Sequence, residues 1–237
     1  MSTLGELLRA MPLPVKAAPP AEDNAEVPIR ADAITRIGAS PRVSMRDEQI
    51  HTLVQQLFFH REGGQVRNAG FSPVEESAQA APICLDVAKA LAGEGKYDIG
   101  LIDASSDAVP LQQRLRIAAP TDLKVTWPIS SRLWLVPRES WWREPGLESI
   151  TERHLERLCD LMTEFDFSVL YCAPVSWLTM RIAQSCDGLV LILTANKTRR
   201  LAAKQIKEQL AKVRIPLLGT VLAERRLPVP ERLYRKL

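Results

Sequence analysis

Short uncharged runs of apolar residues alternate with helical patterns from residue 47 to the end of the chain. The runs show no polar alternation, which is typical of parallel strands that are covered on both faces. The pattern predicts strands at residues 66–71, 99–102, 132–136, 167–171, 188–193 and 217–222. It predicts helices at residues 48–59, 83–92, 147–162, 177–183 and 198–213. We therefore expect an α/β fold with a doubly wound, mostly parallel sheet and helices on both faces.

The beginning of the chain differs from the rest in composition. One apolar stripe predicts a short helix and consists of Leu4, Leu7, Leu8 and Met11. Residues 12–28 are rich in Pro and Ala, which is typical of an extended linker. A short apolar helix on a flexible tether suits docking onto a partner, and a frayed terminus explains the pattern equally well. The sequence thus predicts a flexible N-terminal extension, residues 1–45, and one domain, residues 46–237.

Composition narrows the class of protein. In 237 residues the longest uncharged apolar runs are about as long as a strand, far below the ~20 residues that a membrane span needs. The N-terminus lacks the long hydrophobic centre of a secretory signal. The four cysteines and three histidines are scattered without metal-ligand spacing, so we predict ordinary thiols and no metal site. We expect a cytoplasmic protein.

The net charge of +3 hides an uneven distribution. Residues 195–237 contain 12 Lys and Arg against 3 Asp and Glu, a net charge of +9, which leaves 3 − 9 = −6 for residues 1–194. A basic segment of this kind can bind nucleic acid or an anionic membrane surface. Its cations recur at helical spacing, and no aromatic residues interleave them. We therefore favour a solvated helix face and do not expect a nucleic-acid partner.

The loop after the first predicted strand is where an α/β protein of this kind would hold a phosphate. Such a loop needs glycines that let backbone N–H groups close on the anion, a lysine that neutralises it, and a hydroxyl for magnesium. Residues 72–82 read SPVEESAQAAP and contain no glycine and no lysine. Glu75 and Glu76 stand where a triphosphate would lie, so the loop should repel a nucleotide.

Several segments further along the chain resemble one family. Residues 98–104 read DIGLIDA, 132–137 read RLWLVP, 164–170 read EFDFSVL and 186–193 read CDGLVLIL. In this order they resemble the bacterial tyrosine kinases of exopolysaccharide and capsule export, which are relatives of the MinD and ParA deviant P-loop ATPases. The first segment resembles that family's second Walker motif, and the others resemble its NLWVLPAG, EFDYVIID and ADGVLLVV segments. The resemblance implies a P-loop NTPase-like fold from residue 47 onward.

The nucleotide-binding positions that the resemblance implies carry the wrong side chains. Gln79 stands in place of the last glycine of the phosphate loop, Ala80 in place of its lysine, and Ala81 in place of the first hydroxyl. The substituted positions further along the chain are Ser105 for an acid, Tyr171 for the Walker B acid and Ala223 for the adenine-contacting asparagine. Asp103 alone keeps the family's carboxylate, and we interpret it as a relic or a structural cap rather than a surviving metal ligand.

These losses predict a pseudoenzyme, because groups of a phosphoryl-transfer site that act as a unit fail together. We expect no catalytic residue and no cofactor. The resemblance implies a regulatory or scaffolding role in exopolysaccharide or capsule synthesis and export, with a membrane co-polymerase or a related kinase as partner. Such a partner would hold the protein at the inner face of the membrane. The sequence does not indicate the oligomeric state.

A second candidate docking element is an aromatic pair, Trp141 and Trp142, next to Arg138. Trp and Arg dominate interface energetics, so the pair could anchor a partner, and packing of both rings beneath a loop is an equal alternative. Two other functions stay open. One is an active ATPase or tyrosine autokinase with an unconventional phosphate loop. The other is a ParA- or MinD-like protein that associates with DNA or a membrane surface through its basic end.

Overall fold

The computed structural model of the chain describes residues 45–59, 64–119, 125–142 and 150–224. The helices are α1 Met45–Val54, α2 Ala80–Gly93, α3 Leu111–Arg114, α4 Glu152–Thr163, α5 Trp177–Ala183 and α6 Arg200–Lys212. The strands are β1 Asn68–Pro73, β2 Ile99–Ala104, β3 Trp127–Ser130, β4 Leu133–Val136, β5 Phe167–Cys172, β6 Gly188–Thr194 and β7 Leu217–Ala223. A π-helical turn, Gln55–Phe59, continues α1, and a 3-10 turn, Arg138–Ser140, follows β4.

The strands form one sheet in the order β3-β4-β2-β5-β1-β6-β7. Every pairing is parallel except that of β3 with β4. The predicted fold class, a doubly wound and mostly parallel sheet, is confirmed. The sequence analysis missed β3, because Pro128 interrupts it and its side chains alternate between half-buried and exposed positions. Proline cannot donate a ladder hydrogen bond and is tolerated at a sheet edge, which is where β3 lies.

Helices cover both faces of the sheet. In β5, for example, Phe167 and Val169 belong to the apolar cluster that contains α1 and α2, whereas Leu170 and Cys172 belong to the cluster that contains α4 and α5. A third cluster packs α6 against Leu189 and the next odd-numbered residues of β6. Because successive side chains of a strand point to opposite faces, α1 and α2 lie on one face of the sheet and α4, α5 and α6 on the other.

Helix α2 begins three residues before its predicted start. Its first hydrogen bond runs from the N–H of Ile83 to the carbonyl oxygen of Gln79, over 3.0 Å. Pro82 therefore lies in the first turn, where the missing N–H would have no helical partner anyway. The predicted strand-to-helix order is right, and the boundary moves because proline is an acceptable first-turn residue rather than a start signal.

Helix α4 begins at Glu152 and not at residue 147 as predicted. Thr151 adopts an extended backbone and donates its N–H to Nδ1 of His154 over 3.3 Å, which closes the first turn. His154 is thus a helix-capping residue. The apolar positions that the sequence analysis assigned to this helix are buried, among them Leu155, Leu158 and Met162.

Several predicted features lie outside the described residues. They are the apolar stripe Leu4, Leu7, Leu8 and Met11, and the basic residues after Glu224. Within the described ranges, no helix is long and apolar enough to cross a membrane. The cysteines of these ranges, Cys84, Cys159, Cys172 and Cys186, are all free thiols, as predicted.

The glycine at the start of β6 is the position at which a side chain would do most damage. Gly188 has φ +154°, and a Cβ there would overlap the carbonyl oxygen of Pro216 and lie 2.8 Å from Cγ of Leu218. We expect Gly188→Ala to lower the free energy of unfolding by about 2–4 kcal/mol, measured by urea denaturation. Gly219→Ala is the matched control, because a Cβ at Gly219 has no atom within 4 Å. An equal loss in both variants would contradict this account.

Candidate functional site

In a doubly wound sheet, ligands bind beyond the carboxyl ends of the strands. At these strand ends, polar groups at the end of β1 form hydrogen bonds with the ends of the neighbouring strands instead of facing a ligand. The hydroxyl of Ser72, which is fully buried, donates to the carbonyl oxygen of Ala173 over 2.7 Å. The N–H of Val74 donates to the carbonyl oxygen of Ile192 over 3.0 Å. The loop that follows β1 therefore starts out anchored to the ends of β5 and β6.

The amide groups at the start of α2 are used inside the loop. The N–H of Gln79 donates to the hydroxyl of Ser77 over 3.3 Å, and the N–H of Ala80 donates to the carbonyl oxygen of the same serine over 3.3 Å. These are among the helix N-terminal groups that would otherwise bind an anion. Ala80 and Ala81 are buried in the apolar cluster, and Glu75 and Glu76 are exposed on the loop. The helix start thus offers a phosphate little to bind.

Asp103, near the end of β2, is completely buried and binds the loop that follows it. Its Oδ1 accepts hydrogen bonds from the N–H and the hydroxyl of Ser105, over 3.0 and 2.7 Å. Its Oδ2 accepts from the N–H of Leu111, the first residue of α3, over 2.8 Å. This geometry matches the predicted structural cap. Burial raises the pKa of Asp103, and these hydrogen bonds together with Arg138 oppose that rise.

A second carboxylate, Asp107, lies in the loop between β2 and α3. Its Oδ2 accepts hydrogen bonds from the hydroxyl of Tyr171 over 2.9 Å and from the guanidinium of Arg114 over 3.0 Å. Nη1 of Arg138 donates to the carbonyl oxygens of Ser105 and Asp107, over 3.1 and 2.8 Å. Burial, together with the charge of Asp107, raises the pKa of Tyr171. Tyr171, where the family has its Walker B acid, therefore acts here as a hydrogen-bond donor.

We call this set of residues the β2–β5 network. Its members are Asp103, Ser105, Asp107, Arg114, Arg138 and Tyr171. The donors and acceptors of the network form hydrogen bonds with one another. They lie at the carboxyl ends of β2 and β5. Buried polar groups paired in this way hold a loop in one conformation.

The structure corrects one predicted docking element. Trp141 is 1% exposed, and its indole N–H donates to the backbone carbonyl oxygen of Asp103 over 2.9 Å. It packs in the cluster beneath α4 and α5 and presents no surface to a partner. Trp142 is half-buried, with its ring centroid 5.8 Å from that of Trp141. The hypothesis of an exposed aromatic anchor is therefore wrong for Trp141, because the indole is needed to hold the end of β2.

A cavity of about 630 Å³ lies beside β7, on the face that carries α1 and α2. Two predicted nucleotide-site positions, Gln79 and Ala223, line it. Its one cation, Arg46, is paired with Asp86 over 2.7 Å, and its one acid, Glu224, is paired with Lys197 over 3.7 Å. The remaining lining residues are Gln49, Ile50, Leu53, Ile83, Thr220, Val221 and Leu222. The cavity is suited to apolar groups rather than to a phosphate.

The fold family implies a magnesium-bound nucleotide, and the residues of this chain do not fit one. Magnesium prefers carboxylate and hydroxyl oxygens that are free to coordinate it. Both oxygens of Asp103 accept protein hydrogen bonds, and Ser105 donates to Asp103. Over the ranges that the structure describes, no three His, Cys, Asp or Glu residues are grouped as metal ligands. We therefore derive no catalytic step through a nucleotide or a metal.

Comparison with solved structures shows which fold this is. The VpsO kinase domain is 16% identical, covers 76% of this chain and 97% of its own, and superposes with a TM-score of 0.60. The kinase domain of the Escherichia coli tyrosine kinase ETK is 11% identical, with coverages of 77% and 78% and a TM-score of 0.58. A ParA family ATPase from Chlorobium tepidum is 15% identical, with coverages of 72% and 78% and a TM-score of 0.55.

No protein-family model matches the chain, and no curated protein sequence matches it. The chain has the P-loop NTPase-like fold shared by bacterial tyrosine-kinase domains and ParA-family ATPases. The resemblance noted in the sequence is therefore confirmed at the level of the fold.

The predicted nucleotide-site positions fall into three groups in the structure. Asp103, Ser105 and Tyr171 come together in the β2–β5 network, Gln79 and Ala223 line the cavity beside β7, and Ala80 and Ala81 are buried in the apolar cluster. The sequence analysis missed Asp107 and Arg114 as members of the network. Asp107 contacts Arg114 seven positions away and Tyr171 64 positions away, and the second contact carries no local signal.

Replacing Asp103 tests its role as a cap. In Asp103→Asn the side-chain nitrogen cannot accept a hydrogen bond, so at least one donor of Ser105 or Leu111 loses its acceptor. We expect the free energy of unfolding at neutral pH to fall by about 1–3 kcal/mol. Asp160→Asn serves as a control, because Asp160 is exposed on α4 and its backbone carbonyl oxygen, not its carboxylate, accepts the hydrogen bond of Thr163. An unchanged stability in Asp103→Asn, measured by denaturant titration, would rule out the cap.

The raised pKa of Asp103 makes a further prediction about pH. Folding favours the protonated carboxyl, since burial raises the pKa of Asp103 above the ordinary aspartate value of 3.8. Between these two pKa values the folded state binds more protons than the unfolded state, so this group lowers stability as pH rises. The stability advantage of the parent protein over Asp103→Asn should therefore shrink from about pH 4 upward. An advantage that grows over this range would contradict the assignment.

Tyr171→Phe removes one donor of the β2–β5 network and keeps the ring. Asp107 would keep Arg114 as a partner, so we expect a loss of only about 1 kcal/mol in the free energy of unfolding. Tyr97→Phe is the matched control, because the ring of Tyr97 packs against Phe167 with centroids 5.0 Å apart. Thermal and urea denaturation of the two variants should separate them, and equal losses would show that the phenol of Tyr171 adds nothing.

Proposed function

We propose that the chain is a non-catalytic member of the bacterial tyrosine-kinase fold. In this proposal it acts as a regulatory or scaffolding subunit in exopolysaccharide or capsule synthesis and export. The observation that carries the proposal is the internal use of the groups that should bind a nucleotide. The amides of Gln79 and Ala80 donate to Ser77, and the carboxylate of Asp103 accepts from Ser105 and Leu111.

Charge supports the same function. A phosphate loop that works must concentrate positive potential, because transition-state stabilisation in phosphoryl transfer is electrostatic. Here Glu75 and Glu76 are exposed on the loop, and the nearest equivalent of the phosphate lysine is the buried methyl group of Ala80. Arg114 and Arg138 are engaged by Asp107 and by backbone carbonyl oxygens. Neither arginine replaces the lysine without dismantling the network.

We propose partners for this chain from the proteins that share its fold. The VpsO and ETK structures are described as kinase domains. A chain with this fold that lacks the groups for binding a nucleotide is suited to bind a component of the same kind of assembly. That component would be either a related kinase or a membrane co-polymerase. The protein would then work in the cytoplasm, held at the inner face of the membrane by its partner.

Nucleotide binding tests the proposal directly. Isothermal titration of the full chain with ATP or ADP and magnesium should give no saturable heat, with any dissociation constant weaker than about 1 mM. The thermal midpoint should not move with either nucleotide, since a ligand that binds only the folded state would raise it. Micromolar binding would overturn the proposal. So would magnesium-dependent ATP turnover that disappears in Asp103→Ala, which is the result expected of an active autokinase.

A further inference from the structure

We propose that the outer edge of β7 is a docking site for an extended, acidic segment of a partner protein, which adds to the sheet as a further strand. The inference rests on the proposed scaffolding function and names the surface that would perform it. Three observations carry it: a strand edge that no other strand of the described ranges covers, the apolar cavity beside it on one face, and the basic helix α6 on the other face.

The outer side of β7 is suited to pair with a further strand. Strand β7 ends the sheet, and no other strand of the described ranges pairs with its outer side. Its sequence, LLGTVLA, contains no charged residue and no proline over seven positions. The opposite edge strand, β3, is only four residues long and carries Pro128. Proteins commonly protect edges with proline, charge, short length or a β-bulge. β7 has seven residues and neither proline nor charge, and its one register shift, between Leu217 and Gly219, leaves residues 219–223 in regular pairing.

One face of the edge offers an apolar recess. Val221 of β7 pairs with Ile192 and packs, like Ala223, with the cluster that contains α1 and α2. Helix α1 does not close over this end of the sheet, and the cavity of about 630 Å³ lies between them, floored by Ile50 and Leu53. Alternate side chains of an added strand would enter this space, and apolar ones fit it.

The other face is strongly basic. Leu222 pairs with Leu193, which packs with the α6 cluster, and the Leu222 side chain is 52% exposed. Between residues 199 and 214, six exposed cations accompany one acid, Glu208, a net charge of 6 − 1 = +5. The cations are Arg199, Arg200, Lys204, Lys207, Lys212 and Arg214. The other set of alternate side chains on an added strand would therefore be acidic.

The same charges argue against a second copy of this chain as the occupant. Antiparallel pairing of two β7 edges about a two-fold axis would place both α6 helices side by side on one face of the joined sheet. Like charges across such an interface cost several kcal/mol. An extended peptide that alternates apolar and acidic residues satisfies both faces at once, and its main chain satisfies the edge.

The test uses the full chain and a defined probe, a fluorescein-labelled peptide of alternating Glu and Val. Fluorescence anisotropy should show saturable binding, and hydrogen exchange should slow in the β7 segment. A peptide of alternating Lys and Val should not bind. A Glu-Val peptide methylated on every backbone nitrogen should also fail, because it keeps the charge and loses all of its main-chain donors.

Charge reversal on α6 supplies the matched pair of variants. Lys204→Glu with Lys207→Glu should weaken binding of the Glu-Val peptide at least about tenfold. Lys89→Glu with Lys96→Glu changes the net charge equally, at exposed positions on and just after α2, and should leave binding nearly unchanged. Circular dichroism and the thermal midpoint confirm that each variant is folded.

Four results would overturn the docking site. They are no binding of the Glu-Val peptide, equal binding of its N-methylated form, dimerisation through β7 in sedimentation, and binding to phosphatidylglycerol vesicles in place of the peptide. The proposed function and this site fail separately. Micromolar ATP binding would overturn the non-catalytic function and leave a positive peptide result standing, whereas failure of the peptide would overturn the docking site alone.

Discussion

The hydrogen bonds of the buried Asp103 carboxylate determine the structure at the carboxyl ends of the strands, where ligands bind in doubly wound sheets. A charged group with no solvent exposure must be fully hydrogen-bonded, and here three donors from Ser105 and Leu111 supply those bonds. The requirement fixes the loop after β2 and the start of α3. The indole of Trp141 packs at the same strand end and donates to the backbone carbonyl oxygen of Asp103. An aspartate that must hold its own loop together in this way is not free to hold a metal.

In the loop after β1, backbone amides that could bind a phosphate also form hydrogen bonds within the protein. A phosphate site at a helix start depends on amides that point outward and lack partners. In this chain Ser77 accepts from two of those amides. The hydroxyl of Thr194, on β6, lies 3.4 Å from that of Ser77 and ties the loop to the neighbouring strand. The polar groups at this helix start therefore bind one another.

Much of the fold could be predicted from the sequence, because apolar runs such as those of β5 and β6 are buried on both faces and stand out without alternation. β3 could not, since Pro128 and an exposed edge leave no such run. Of the site, Asp103 was identified from the resemblance of residues 98–104 to a Walker motif. Its partners were not, because Leu111 contributes only a backbone N–H, which carries no sequence signal. For Trp141 the sequence left an exposed anchor and packing beneath a loop as equal alternatives, and the indole is buried.

The two edge strands of the sheet differ in how well each is suited to pair with another strand. β3 is short and carries a proline, whereas β7 is long, uncharged and flanked by a cavity and a basic helix. A scaffold needs surfaces of the second kind, because its contribution is binding alone. The proposed scaffolding function would use the β7 edge, which no other strand of the described ranges covers, while the polar networks hold the strand ends.

The most direct measurement is a nuclear magnetic resonance titration of the full chain, labelled with nitrogen-15, with magnesium and ATP. If the groups at the sheet edge are committed to each other, the amide resonances of Gln79, Ala80, Ser105 and Leu111 should stay unchanged at millimolar nucleotide. Saturable shifts of these amides, with the midpoint at a micromolar concentration, would show that a nucleotide site exists and would contradict the account.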